Sequence, residues 1–194
     1  MNKPTFDNPE WFKDEFHQLS ARFMTQKSAL TILTQFSSNP LIVETGCLRL
    51  PDDWGGGMST LVYANYIARH GGHLITVDYS EVNLDVCKEI TKDYAQYITY
   101  VHADSLAYLP TITDKIDMLY LDSMDVDPVG DATAPQEHNL KEFKYAERNL
   151  NDRAVILLDD ANFPNGGKVA KTNEYLHEQG YLLLAQRQQA LWLK

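Results

Sequence analysis

The sequence predicts an α/β protein: a doubly wound, mainly parallel sheet with helices on both faces and an antiparallel edge. Three observations predict it. Five short apolar runs (41–43, 73–77, 98–101, 116–121 and 154–158) alternate with amphipathic helical stretches, as in a buried parallel sheet. Two more runs, 181–185 and 190–194, come nearly back to back and read as a hairpin at the sheet edge. An acid follows each of the first five: Glu44, Asp78, Asp104, Asp122 and Asp159. Ligands of open α/β sheets bind outside the carboxyl ends of the strands, so these acids gather along one rim.

Taken in order, Asn8-Pro9-Glu10 is a helix start, with a capping residue, a proline at the first helical position and an acid in the first turn. Phe12, Phe16, Leu19 and Phe23 follow at helical spacing and give one apolar face. A second helical stretch over 27–37 carries Leu30, Leu33 and Phe36 and stops at Asn39-Pro40. Residues 1–40 thus read as a helical cap before a compact domain over 41–194. The cap covers a sheet edge, roofs the ligand site or meets a second subunit in a homodimer.

The first strand breaks at Glu44-Thr45-Gly46, opens into a loop rich in Gly and Asp, and resumes as a helix near Met58. A strand, a glycine turn and a helix N-terminus in that order make a site for a nucleotide-like ligand. Gly46 lets the backbone approach the ligand closely. Ser59 and Thr60, with the free N–H groups of the first helical turn, can hold a carboxylate or phosphate, and Glu44 offers an acceptor to a cationic or hydroxyl-bearing ligand. The stretch is not a P-loop, because Met58 stands where that motif requires lysine. Gly55-x-Gly57-x-x-Thr60 also departs from the dinucleotide fingerprint.

The helix over 58–70 closes at Gly71-Gly72. Asp78 lies about 20 residues past the glycines, where an acid reaches a ribose diol in doubly wound folds. Ser80 caps the next helix, whose apolar positions are Leu84, Cys87 and Ile90. Asp104-Ser105 stands past the third strand, within reach of a bound base. After the fourth strand an Asp-rich loop, 123–134, leads to a helix opened by Pro135 and running to about Leu150, with His138 in its first turn. The fifth strand ends at Asp159-Asp160. A loop with Asn162, Pro164 and Gly166-Gly167 then enters a helix closed by Gly180.

Seventeen Lys and Arg against 27 Asp and Glu give a net charge of −10. That balance disfavours nucleic acid and anionic membranes, which need clustered positive charge. Cys47 and Cys87, the only cysteines, are too few for a zinc site or disulfide framework and read as reduced, buried thiols. No apolar run reaches spanning length and the N-terminus has no signal-peptide core. The expectation is a soluble, cytoplasmic protein.

The motifs VETG, GGGMST, ITVDYS, VHADS, IDMLYLDS and VILLDD, followed by the closing hairpin, occur in that order between Leu41 and Lys194. In this the chain resembles a class I S-adenosylmethionine-dependent methyltransferase. The resemblance implies a Rossmann-like sheet of order 3-2-1-4-5-7-6 with strand 7 antiparallel. It implies that Glu44, Gly46, Cys47 and Ser59 hold the methionine part of S-adenosylmethionine. Asp78 would bind the ribose hydroxyls and Tyr79 the adenine face, with Asp104 and Ser105 also at the adenine.

The long TGCLRLPDDWGGGMST loop resembles that of cephalosporin-hydroxylase-like and macrocin-type sugar O-methyltransferases. Metal-dependent small-molecule O-methyltransferases ligate a divalent ion with acids after strands four and five. By that resemblance Asp122, Asp159 and Asp160 would hold Mg²⁺ or Ca²⁺, and the ion would lower the pKa of the acceptor hydroxyl. Catechol enzymes carry a lysine where this chain has Asp125, so the proton would pass to His138, with Asp122 acting through the ion it ligates. The function so implied is O-methylation of a small hydroxylated molecule. A nicotinamide-dependent oxidoreductase is the alternative that Asp78 and a parallel sheet also suit. It lacks the glycine fingerprint and a Tyr-x-x-x-Lys pair, since Tyr94 is followed four residues on by Ile98. A non-catalytic domain that keeps the fold as a binding surface is the third reading.

Overall fold

Side-chain alternation along the strands builds this molecule. The computed structural model describes residues 10–56, 58–127 and 129–194. Seven strands form one sheet in the order β3-β2-β1-β4-β5-β7-β6: β1 (Leu41–Thr45), β2 (His73–Asp78), β3 (Ile98–His102), β4 (Ile116–Leu121), β5 (Leu150–Leu158), β6 (Leu182–Gln186) and β7 (Ala190–Leu193). The first five run parallel, and β7 is antiparallel to both β5 and β6. The expected strand order and antiparallel β7 are what the structure has.

Successive residues of a strand face opposite sides. Met118, Tyr120, Val155 and Leu157 face one core together with Phe12, Phe16, Leu30, Leu33, Tyr63 and Ile67. These come from helices α1 (Glu10–Phe16), α2 (Phe23–Phe36) and α3 (Ser59–His70). Leu119, Leu121, Ile156 and Leu158 face the other core with Phe143 and Leu176. Those two belong to α6 (Thr133–Glu147) and α7 (Ala170–Glu178). Between β2 and β3 runs α4 (Glu81–Ile90), and after β3 comes the single turn α5 (Ser105–Tyr108). The crossovers reverse direction between β1 and β4, so the ends of those two neighbours form the switch point at which such sheets bind ligands.

Residues 17–40 pack on the same face as α3 through the aromatic stripe. The helix start expected at Asn8-Pro9 lies outside the described residues. α2 begins at Phe23 rather than 27, and the break falls at Ser20, whose φ is +52°. α6 opens at Thr133, where the Asp131 carboxylate accepts from the Thr133 N–H (2.9 Å) and hydroxyl (2.6 Å). It stops at Glu147, and Leu150, expected at its end, is instead the first residue of β5. Ser80 caps α4 as expected, accepting from Asn83 N at 3.3 Å. No helix among the described residues is long and apolar enough to cross a membrane.

Candidate functional site

The parallel ladder continues past the strand ends and knits their last residues into one rim. Gly46 N donates to Val77 O (2.8 Å), Asp122 N to Thr45 O (2.9 Å), Asp159 N to Leu121 O (3.1 Å) and Ala103 N to Asp78 O (3.1 Å). Above this rim opens a cleft of about 1040 Å³. Of the residues expected to hold the cofactor, Gly46, Cys47, Asp78, Tyr79, Asp104 and Ser105 line it. Asp122, His138 and Asp160, expected on the acceptor side, line it too. Five carboxylates against Arg22 and Arg49 leave the wall negative, a field that favours a cationic ligand.

Glu44 and Ser59 do not line the cleft. Glu44 is fully buried behind it and accepts from Ser59 Oγ (2.5 Å), Thr60 Oγ1 (2.6 Å) and Thr76 Oγ1 (2.8 Å). Burial outweighs those three bonds and pushes its carboxyl up to about 7. The Ser59 and Thr60 hydroxyls, expected to receive a ligand, are spent on tying α3 to β1. Thr60 Oγ1 also accepts from Leu48 N (3.0 Å) and anchors the loop.

Asp78 lines the cleft among donors of the chain itself. Oδ2 accepts from Cys47 N (3.2 Å) and Oδ1 from Ser80 N (2.8 Å). Longer contacts come from Cys47 Sγ to Oδ2 (3.5 Å) and from Asn83 Nδ2 to both oxygens (3.4 and 3.5 Å), which ligand hydroxyls would have to displace. Tyr79 beside it is 79% exposed and forms a free ring face at the mouth. Asp104 turns Oδ1 back to Leu106 N (2.8 Å) as the cap of α5. Ser105 Oγ meets His138 Nε2 at 3.3 Å, and the same nitrogen lies 3.4 Å from Glu142 Oε1. His138 therefore belongs to the β3 side of the cleft. The Glu142 bond raises its pKa, against a smaller lowering by burial.

Asp122, Asp159 and Asp160 do converge, but around cations of the chain itself. Lys168 Nζ lies 2.7 Å from Asp122 Oδ1 and 3.0 Å from Asp160 Oδ2. Arg22 Nε donates to both oxygens of Asp159 (3.1 and 2.8 Å), and Nη2 reaches Asp160 at 3.5 Å. The guanidinium also bonds the Gly55 carbonyl. With its amide oxygen turned inward, Gln188 accepts from Nη1 (2.5 Å) and Nη2 (2.8 Å). Tyr120 Oη sits 2.6 Å from Asp159 Oδ2 and 3.1 Å from Asp122 Oδ2.

Lys168 thus stands between two of the carboxylates expected to hold the metal. A dication about 3 Å from that ammonium is repelled by roughly 10 kcal/mol even at an effective dielectric of about 20. Among the described residues no group of three or more His, Cys, Asp or Glu could hold a metal. The two carboxylates diverge. Burial and the Asp159 charge raise the Asp122 pKa well above the usual range, with Lys168 offsetting part. Asp159 is also driven up by burial, but Arg22 and Lys168 outweigh that and hold it low. Neighbouring carboxyls pushed apart in this way suit one proton acceptor and one fixed anion.

Sequence reasoning missed Arg22 and Lys168. Arg22 falls three residues after Leu19, on the face of the apolar stripe, and a lone cation there was a legible signal. Lys168 follows Gly166-Gly167, and only the loop's folded path aims it inward. Gly167 has φ +60°, and a β-carbon on it would stand 1.7 Å from the Asp160 carbonyl oxygen.

Residues 54–161, more than half of the chain, match the family model described as a methyltransferase domain. No curated protein sequence matches the chain significantly. Among solved structures it is similar to the S-adenosylhomocysteine-bound methyltransferase PaMTH1 of Podospora anserina (16% identity, 95% of this chain and 84% of that one, TM-score 0.66). It is also similar to the O-methyltransferase NovP (13%, 90% and 79%, 0.63). A third is the ribosomal protein L11 methylase of Lactobacillus delbrueckii subsp. bulgaricus (13%, 88% and 77%, 0.53). Identities this low bear on the fold alone, whereas the family match is made by the sequence itself. By that match, on a sheet of the order 3-2-1-4-5-7-6, the chain belongs to the class I S-adenosylmethionine-dependent methyltransferases.

Proposed function

We propose that this methyltransferase acts on a hydroxyl group of a small molecule and that Asp122 takes the hydroxyl proton. The observation carrying the reading is the position of Asp122. Its carboxylate lines the cleft at the switch point, in backbone contact with Gly46, and its basicity is raised by burial and by Asp159. The oxygen acceptor is taken from the motif resemblance to small-molecule O-methyltransferases.

In this reading Gly46 and Cys47 face the methionine part of the cofactor. Asp78 accepts from the ribose hydroxyls, while Tyr79, Asp104 and Ser105 border the adenine. When bound, S-adenosylmethionine supplies a methyl group on a positively charged sulfur, so the chemistry asks orientation and electrostatics of the protein. The negative wall attracts the sulfonium cation. Met124, Val126 and Phe163 give the acceptor side an apolar lining that limits water. Asp122 accepts the hydroxyl proton as the oxygen becomes nucleophilic, and Lys168 holds the Asp122 carboxylate still. His138, bonded to Ser105 and Glu142, shapes the adenine end.

The test is methyl transfer to a panel of hydroxylated small molecules, with calorimetric titration of S-adenosylmethionine and of NAD alongside. Asp122→Asn is expected to lose about 10²–10⁴-fold in kcat, the usual worth of a general base, while cofactor affinity stays within a few-fold. His138→Gln is expected to weaken cofactor binding more than kcat. Full turnover in Asp122→Asn, or binding of NAD alone, sinks the reading.

A further inference from the structure

We infer that Lys168 is a tethered cation standing where metal-dependent relatives place their divalent ion, and that it positions Asp122 without any metal. The inference rests on the reading above only for the role of Asp122.

A lysine with no exposed surface is rare and is found paired. Here the pairing is built from both sides. Asp160 adopts φ +57°, an uncommon conformation for a residue with a side chain, and its N–H donates to Asp159 Oδ1 at 2.8 Å. Seven residues on, Gly167 folds the loop back on the Asp160 carbonyl, a conformation only glycine allows there. Gln136 of α6 donates to Gly167 O at 3.0 Å and holds the turn in place. The loop thus delivers the Lys168 ammonium between Asp122 and Asp160, one from each strand end.

Three carboxylates face two cations of the same chain, Arg22 and Lys168. With Asp122 ionised, one negative charge remains on the side of the cleft where a cationic sulfonium nucleoside belongs. A divalent ion in addition would reverse that sign. The ammonium also fixes Asp122 Oδ1 at 2.7 Å, as a metal–carboxylate bond would, and leaves Oδ2, which Tyr120 Oη approaches to 3.1 Å, to face an acceptor proton.

The metal-binding part of the experiment needs neither cofactor nor acceptor. Full-length protein, stripped with EDTA, is titrated with MnCl₂ and the free ion is followed by electron paramagnetic resonance. Melting temperatures are taken in EDTA and in MgCl₂. The wild type is expected to show no one-to-one Mn²⁺ binding and no difference between EDTA and MgCl₂. Lys168→Ala is expected to melt lower in EDTA, to gain one-to-one Mn²⁺ binding, and to recover stability in MgCl₂. Lys168→Arg is expected to behave as the wild type. If Lys168→Ala does not fold, Lys168→Met, which keeps the side-chain length without the charge, is read in the same way.

One-to-one Mn²⁺ binding by the wild type overturns the inference and leaves methyl transfer as such untouched. Failure of both neutral variants to gain Mn²⁺ overturns it as well. Positioning is read from turnover: Lys168→Met is expected to lose about tenfold or more in kcat at an unchanged cofactor KM, and Lys168→Arg to restore it. An unchanged kcat in Lys168→Met removes the positioning role.

Discussion

A β-carbon on Gly46 would stand 2.5 Å from the carbonyl oxygen of Asp122 and 2.9 Å from its carbonyl carbon. The turn that leaves β1 and the residue that ends β4 are thus pressed together at the switch point, and the site's geometry depends on that approach. Gly46 also has φ +80°.

Gly46→Ala therefore combines left-handed strain with a backbone collision. It is expected to cost roughly 2–4 kcal/mol in urea unfolding and to weaken S-adenosylmethionine binding about tenfold or more. Gly180 has a nearly identical φ of +81° but nothing within 4 Å of its hypothetical β-carbon. Gly180→Ala is expected to show only the strain, about 1–2 kcal/mol, with cofactor binding intact. Equal effects of the two substitutions on binding would separate Gly46 from the site.

Glu44 makes a claim on pH. Its folded carboxyl is raised to about 7 from an ordinary 4.5, first by burial. A carboxyl raised by folding contributes stability that is fully present below the unfolded pKa and is lost as pH rises through the folded one. Between pH 4.5 and 7 the wild type should lose roughly 3 kcal/mol through this group. Glu44→Gln keeps the shape and cannot titrate. Its melting temperature relative to wild type is expected to rise by about 6–12 °C across that window and stay level above it. Parallel melting curves from pH 4.5 to 8 would show that Glu44 does not titrate in the fold.

The same residue marks where sequence reading stopped. The parallel sheet and its ligand rim were legible because apolar alternation and acids at strand ends are local patterns, whereas the strand order was implied by the family resemblance. Asp78 and Asp122 could be assigned to the rim for that reason. Glu44 looked like another rim acid, yet its strand runs to Thr45, two residues further than the apolar run, so its side chain lies inside. Ser59 and Thr60 read as ligand groups because a free helix N-terminus invites one, and nothing in the text ties them to a glutamate 15 and 16 residues upstream. Lys168 was invisible for a different reason. A cation 46 residues from Asp122 reaches it only through the positive φ of a glycine, which composition does not reveal.

Two arginines at the same cleft give opposite expectations. Arg22 is 7% exposed and its guanidinium is held by Asp159, Asp160, Gln188 and the Gly55 carbonyl. Removing it strands the fully buried Asp159 charge, so Arg22→Met is expected to cost roughly 3–5 kcal/mol. Lysine lacks the planar fork, so Arg22→Lys should recover only part of that. The substitution should also loosen the glycine loop and lower cofactor affinity, because Arg22 joins Gly55 to the end of β5. Arg49 pairs with Asp125 at 2.7 Å, but its side chain is 47% exposed and that of Asp125 is 68% exposed. Water screens such a pair, and Arg49→Ala is expected to cost less than about 1 kcal/mol. Urea unfolding of the three variants side by side checks this. A loss at Arg49 as large as that at Arg22 would mean that exposure does not set the strength of ion pairs here, and the account of the buried cluster would fail with it.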